Sequence, residues 1–235
     1  MKEVKEFNID VPMSLHGITL RQYQKWIKIV KKYDENETND ENYLKVKMLQ
    51  IFCNLPIEDT YKIPLHNFDN IITHISKLFN EEQKLTTVFY MEGEDNGDKV
   101  ELGMIPDLHK MSFGEYVDLD KYINSYDDMH KAMAILYRPV TFRLKDTYSI
   151  SEYKGTAKTA DVMLDMPVDI VMGAVNFMIR LTRRLVKHTL VYSHKQITEE
   201  MELAYKQTLD ENGDGINPFI LSLKKTQLES MKPLS

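Results

Sequence analysis

Residues 210–215 hold a pattern that could bind a metal ion. Asp210, Asn212 and Asp214 stand at alternate positions, and alternate oxygen ligands surround the ion in the first half of a calcium-binding loop. Such a loop ends in a bidentate glutamate at its twelfth position, but Leu221 stands there in this chain. We therefore interpret the segment as an Asn/Asp/Gly turn, with weak calcium binding as the alternative, and we predict no metal site.

A second group of residues could bind an acidic partner. These are four basic residues that recur at helical spacing and so share one helix face: Arg180, Arg183, Arg184 and Lys187. This basic stripe could contact a partner protein or nucleic-acid phosphates, and the dipole of a helix also favours cations in its C-terminal half. A solvated face paired with the chain's own carboxylates would have the same pattern. We predict the basic stripe as the partner-binding site.

The other polar residues do not form a recognisable catalytic pattern. The seven histidines are scattered along the chain, and none belongs to an HExxH motif or to a Cys/His cluster of a zinc site. His109 and His130 have aspartates nearby in sequence, but no spacing selects a carboxylate–histidine site among them. We expect no enzyme activity and no cofactor.

The composition indicates an ordinary folded protein. The 235 residues are 43% hydrophobic and 28% charged, which is enough apolar content for a core. A net charge of −6 argues against generic nucleic-acid binding. The single cysteine, Cys53, cannot form an internal disulfide, which suits a reducing cytoplasm. The longest apolar stretch, 168–181, contains Asp169 and Asn176 and is shorter than the roughly 20 residues of a membrane span, so we expect no membrane segment.

Two capping boxes predict helix starts. Thr19 and Gln22 have the spacing at which each side chain accepts a hydrogen bond from the other's backbone amide, so a helix should begin directly after Thr19. Ser112 and Glu115 repeat this pattern and predict a second helix start. The predicted first residues of the two helices are therefore Leu20 and Phe113.

Periodicity and turn residues predict the other elements. Helices are expected at about 20–33, 42–54, 68–79, 113–123 and 126–137, the last of them ended by Pro139. A hairpin is expected over 86–105, and a strand within 140–153 should add to it. Asp165 as the cap and Pro167 in the first turn predict a long final helix that reaches Tyr192.

These elements predict an α+β, mostly α, fold. It would comprise a helical domain with a small antiparallel β-hairpin or sheet and a long C-terminal helix. Residues 154–165 are small and polar, as in a mobile loop or a boundary. We predict a mainly helical core domain over 1–155 and a C-terminal helical region with a tail extension over 156–235.

Several stretches of the chain together resemble a known family. They are Ile18-Thr-Leu-Arg-Gln-Tyr-Gln-Lys, Lys47-Met-Leu-Gln-Ile-Phe-Cys, Gly103-Met-Ile-Pro-Asp-Leu, Met111-Ser-Phe-Gly-Glu-Tyr-Val-Asp-Leu-Asp, Met129-His-Lys-Ala-Met-Ala-Ile-Leu-Tyr-Arg-Pro-Val, Tyr153-Lys-Gly and Met166-Pro-Val-Asp. Over roughly residues 10–190 the chain is similar to small virion and tail-morphogenesis proteins of tailed bacteriophages, including crAss-like gut phages. The resemblance implies no catalytic residues.

The resemblance implies a role in a phage particle. We expect a non-enzymatic virion protein, made in the bacterial cytoplasm, that binds portal, capsid or tail proteins in several copies. It would act at the portal or head–tail vertex or be packaged as cargo, with nucleic acid nearby. The alternative is a tail or capsid assembly chaperone that is absent from the mature virion, and a third hypothesis is a nuclease-like DNA-modifying enzyme. Partner binding predicts exposed apolar patches, on the final helix or beyond residue 190.

Overall fold

Seven α-helices and a four-stranded antiparallel sheet make up the described part of the chain. A computed structural model describes residues 9–35, 41–92, 98–123, 125–145 and 147–193, except for the side chains of residues 34, 35, 41 and 182–193. The helices are α1 (Leu20–Glu35), α2 (Glu41–Phe52), α3 (Ile57–Thr60), α4 (Leu65–Asn80), α5 (Phe113–Ile123), α6 (Met129–Leu136) and α7 (Val168–Ser193). The strands are β1 (Val88–Glu92), β2 (Lys99–Met104), β3 (Tyr137–Leu144) and β4 (Thr147–Ile150). The predicted α+β, mostly α fold class is confirmed.

Both predicted capping boxes form. The Thr19 amide donates to Gln22 Oε1 at 2.9 Å, and the Gln22 amide donates to Thr19 Oγ1 at 3.3 Å. At the second box, the Ser112 amide donates to Glu115 Oε2 at 2.6 Å, and the Glu115 amide donates to Ser112 Oγ at 3.3 Å. Because these bonds satisfy free amides of the first turn, α1 and α5 begin at the predicted residues.

Helix α6 continues directly into strand β3 without a loop. Its buried side chains are all apolar: Met129, Ala132, Met133, Ala134, Ile135 and Leu136. Pro139 excludes the helical conformation from Arg138, and the backbone is already extended at Tyr137. The helix therefore ends at Leu136; it begins at Met129, so it is shorter at both ends than the predicted 126–137.

The sheet is built from two hairpins. The predicted hairpin over 86–105 forms, with Val88 opposite Gly103 and Glu92 opposite Lys99. Strand β3 pairs with β2 on one side and with β4 on the other, so the strand order is β1-β2-β3-β4. Region 140–153, where one added strand was expected, thus contains most of β3 and all of β4.

The start of α7 is held by the residues that precede α1. The Val168 amide donates to the Ile18 carbonyl at 2.9 Å, and the Leu20 amide donates to the Met166 carbonyl at 2.8 Å. Asp165, predicted as the cap of this helix, instead accepts hydrogen bonds from Arg21 Nε at 3.0 Å and Nη2 at 3.2 Å. The predicted cap is wrong because Asp165 ends a 3₁₀ turn, 162–165, and lies three residues before Val168, the first residue of α7.

The first half of α7 belongs to the same apolar core as α1 and α6. Buried α7 residues in this core are Val168, Ile170, Val171, Ala174, Val175, Met178 and Ile179. The predicted division at residue 155 stays a prediction, and residues 194–235 lie outside the described part. Among the described residues, no helix is both long and apolar enough to cross a membrane.

Candidate functional site

Only one residue of the basic stripe has a described side chain. Arg180 Nη1 lies 2.8 Å from Glu82 Oε1, and both side chains are exposed. Residues 183, 184 and 187 lie on α7, but their side chains are outside the described set. The calcium-loop-like turn at 210–215 is outside it as well. The basic stripe stays a prediction, although Arg180 pairs with a carboxylate of its own chain.

Among the described residues, no group of three or more His, Cys, Asp and Glu side chains could hold a metal ion. Burial lowers the pKa of His130, and it raises the pKa of the buried Cys53 thiol to about 11. A thiol with such a pKa carries almost no thiolate at neutral pH, so Cys53 is a packing residue.

Helix α5 exposes apolar side chains and buries a charged one. Phe113 is 82% exposed, Tyr116 is 56% exposed and Val117 is 45% exposed, whereas Glu115 is only 6% exposed. The three exposed residues stand at i, i+3 and i+4, so they lie side by side on one helix face, which we name the α5 surface. Contiguous exposed apolar side chains mark binding surfaces, and Phe and Tyr are enriched at interfaces between proteins.

An ion pair beneath the α5 surface fixes the orientation of the helix. Arg138 Nη2, on β3, lies 2.6 Å from Glu115 Oε1, and both side chains are largely buried. Burial alone would raise the pKa of the Glu115 carboxyl, but hydrogen bonds from Ser112 and the charge of Arg138 outweigh it, so the pKa lies below its ordinary value.

A tyrosine beyond β4 completes this anchor. The Tyr153 hydroxyl donates to Asp118 Oδ2 on α5 at 2.5 Å, and the Arg138 guanidinium lies 5.8 Å from the centre of the Tyr153 ring. Burial and the Asp118 carboxylate raise the pKa of Tyr153, so the hydroxyl keeps its proton. Charged contacts to Arg138 and Tyr153 therefore hold the helix that carries the α5 surface. A surface that is already ordered loses less entropy on binding.

A cavity of about 260 Å³ lies between α1, α6, α7 and the chain after α4. We name it the α1–α7 cavity. Its wall residues are Leu20, Tyr23, Gln24, Phe79, Asn80, Glu81, Glu82, Gln83, Tyr126, Met129, Val171, Met172, Val175, Asn176 and Ile179. Gly173 brings α7 close to this chain segment, since a Cβ there would lie 2.2 Å from the Lys84 carbonyl oxygen. The Arg180–Glu82 pair lies at the exposed side of the wall.

From the sequence, exposed apolar patches were expected on the final helix or beyond residue 190, and not on α5. Through Leu181, the described side chains of α7 include no large exposed apolar one, and residues beyond 193 lie outside the described part.

The sequence contained one signal for the α5 surface. Leu119 and Ile123 are apolar on the face of Glu115, so α5 has two apolar faces and cannot bury both against one core.

Comparisons with protein-family models, with characterised proteins and with solved structures found no match to this chain. The α5 surface and the α1–α7 cavity are therefore interpreted from their own geometry.

Proposed function

We propose that this chain is a non-enzymatic protein of a tailed-phage particle and binds other particle proteins through the α5 surface. The observation that carries partner binding is the inverted burial on α5, where Phe113 and Tyr116 are exposed and Glu115 is buried. Isolated exposed apolar residues are common, but adjacent aromatic residues on a preorganised helix are typical of a binding surface. Aromatic side chains also supply much of the binding energy at interfaces.

The phage setting is supported by the family resemblance. The stretches that carry it include Met111–Asp120, Met129–Val140 and Tyr153, and these contain the α5 surface together with Glu115, Arg138 and Tyr153. Stretches that are separate in the chain thus supply both the exposed surface and its anchor. We propose that the partners are portal, capsid or tail proteins, that several copies are present in the virion, and that nucleic acid lies nearby.

The location is tested by counting copies of the chain in purified particles. Quantitative mass spectrometry against the major capsid protein is expected to find it in multiples that suit a vertex or ring; irregular numbers would indicate packaged cargo. Abundance in infected cells with absence from particles would contradict the proposal and favour an assembly chaperone.

The binding surface is tested by removing its aromatic rings. In a phage that carries Phe113→Ser with Tyr116→Ser, we expect the copy number per particle to fall by at least about tenfold, since one buried aromatic anchor contributes about 2 kcal/mol or more. Both side chains are exposed, so the fold should be retained, and circular dichroism of the purified variant checks this.

A matched control removes similar apolar area elsewhere. Tyr61 and Leu65 are also exposed, near the start of α4, and the variant Tyr61→Ser with Leu65→Ser is expected to keep its copy number. Loss of this control from particles while the α5 variant is retained would place the binding surface away from α5.

A further inference from the structure

The wall of the α1–α7 cavity contains a buried hydroxyl without a partner. Tyr23 is 6% exposed, and within the described part of the chain its hydroxyl has no hydrogen-bond partner. Its ring stacks on the Phe79 ring, with 5.7 Å between the two centroids. Burial raises the pKa of the Tyr23 hydroxyl, and Tyr126 adds a smaller increase. Tyr23, Phe79 and Tyr126 all belong to the wall of the cavity. Buried hydroxyls are normally hydrogen-bonded, so this one indicates a missing acceptor.

The side-chain amide of Gln24 does not supply that acceptor. Gln24, the neighbouring wall residue on α1, directs its Nε2 to the Tyr126 carbonyl at 2.6 Å and lies within 3.4 Å of the Asp127 carbonyl. The Gln24 side chain is thereby held against the start of α6. Tyr23 thus remains the wall residue whose buried polar atom lacks a partner among the described residues.

The other wall residues define the chemistry that fits. Most of the inner wall is apolar, with Leu20, Phe79, Met129, Val171, Val175 and Ile179. Such a lining disfavours a charged ligand, because burial of an unpaired charge is costly. Glu81 and Glu82 on the exposed side also repel anions, although Arg180 pairs with Glu82. The size suits a ring with a small substituent, since a dry apolar cavity of about 150 Å³ holds benzene.

We propose that the α1–α7 cavity binds a small neutral molecule with an apolar ring or short chain and one oxygen that accepts a hydrogen bond from the Tyr23 hydroxyl. This matches the general form of ligand sites, in which an apolar lining surrounds a few placed polar groups. The site is independent of the α5 surface and does not rest on the proposed particle function.

The experiment uses two molecules of the same shape as probes. Acetophenone carries a carbonyl acceptor, and α-methylstyrene replaces that oxygen with a methylene group. The full chain is labelled at its methionine methyl groups, and both probes are titrated by NMR. Met129 and Met172 line the cavity, whereas Met13 is exposed and outside the wall. We expect saturable shifts at Met129 and Met172 and none at Met13.

Two variants separate the hydrogen bond from general binding. Tyr23→Phe removes only the hydroxyl and is expected to weaken acetophenone about fivefold while leaving α-methylstyrene unchanged, as for one neutral hydrogen bond. Tyr153→Phe removes a partly buried hydroxyl that already has a partner, Asp118, and should change neither affinity.

Three results would overturn the proposal. They are no shift at Met129 and Met172 with millimolar acetophenone, equal shifts at Met13, or unchanged acetophenone binding in Tyr23→Phe. The absence of a shift at Met129 and Met172 would indicate that water fills the α1–α7 cavity.

Discussion

The variant Glu115→Ala is expected to lose about 3–5 kcal/mol in free energy of unfolding, because removal of one partner leaves the other buried charge without compensation. Arg138 lies 2.6 Å from the carboxylate that would be removed, and the guanidinium is nearly as buried as the carboxylate. The Ser112 amide would lose its acceptor too. Urea unfolding at pH 7, followed by circular dichroism, measures the loss.

An exposed ion pair provides the control. Lys28 Nζ lies 3.1 Å from Asp127 Oδ1, and more than half of each side chain is exposed. Asp127→Ala is therefore expected to cost less than about 1 kcal/mol. A loss at Glu115 no larger than the loss at Asp127 would contradict the interpretation of Glu115 and Arg138 as a buried anchor.

The same pair gives stability a defined pH dependence. Since the pKa of Glu115 is lower in the folded chain than its ordinary value of 4.5, the ionised form is bound more strongly in the folded state. Its contribution is present above about pH 4.5 and is lost as the pH falls through the folded pKa. The difference between wild type and Glu115→Ala should therefore narrow on the acid side, and a constant difference from pH 7 to pH 3 would refute this.

The variant Gly173→Ala is expected to lose about 1–3 kcal/mol, as overpacked positions do. Its Cβ would stand 2.2 Å from the Lys84 carbonyl oxygen and 2.9 Å from the carbonyl carbon. Backbone atoms cannot rotate away as a flexible side chain can, so α7 or the chain after α4 must shift. Thermal unfolding followed by circular dichroism measures the change, which should also alter the wall of the α1–α7 cavity.

A second glycine in a helix serves as the control with opposite sign. Gly114 lies on α5, and a Cβ there would meet no atom within 4 Å. Gly114→Ala should therefore stabilise the protein by about 0.5–1 kcal/mol, because alanine has less conformational freedom to lose. If Gly173→Ala proved at least as stable as Gly114→Ala, the close approach of α7 to Lys84 would be disproved.

Local chemistry explains which elements could be predicted from the sequence. The helix starts after Thr19 and Ser112 depend on residues three positions apart, and both form as expected. The end of α6 depends on Pro139 acting on its neighbour, and this too is a local effect. Asp165 also has the local pattern of a cap, but its partner Arg21 is distant in the chain, so the local pattern gave the wrong role.

The candidate site depends on contacts that no local pattern contains. Glu115 is buried because Arg138 reaches it from β3, and this leaves Phe113 and Tyr116 on the outer face of α5. The sequence shows both apolar faces of the helix but not which of them meets the core. The α1–α7 cavity is likewise formed by four separate segments, so its volume and its buried Tyr23 hydroxyl follow from packing alone.

The backbone hydrogen bonds between the start of α1 and the start of α7 affect how the chain folds during synthesis on the ribosome. Arg21 and Asp165, which stand at these two helix starts, are 144 residues apart, and closing a loop of this length costs about 4 kcal/mol in chain entropy. Helix α1 is made before α7, and the carbonyl that accepts a hydrogen bond from its first amide, at Leu20, belongs to Met166. A nascent chain must therefore carry the apolar side of α1 without α7 while the residues between the two helices are translated, and during that interval it is open to chaperones and to aggregation.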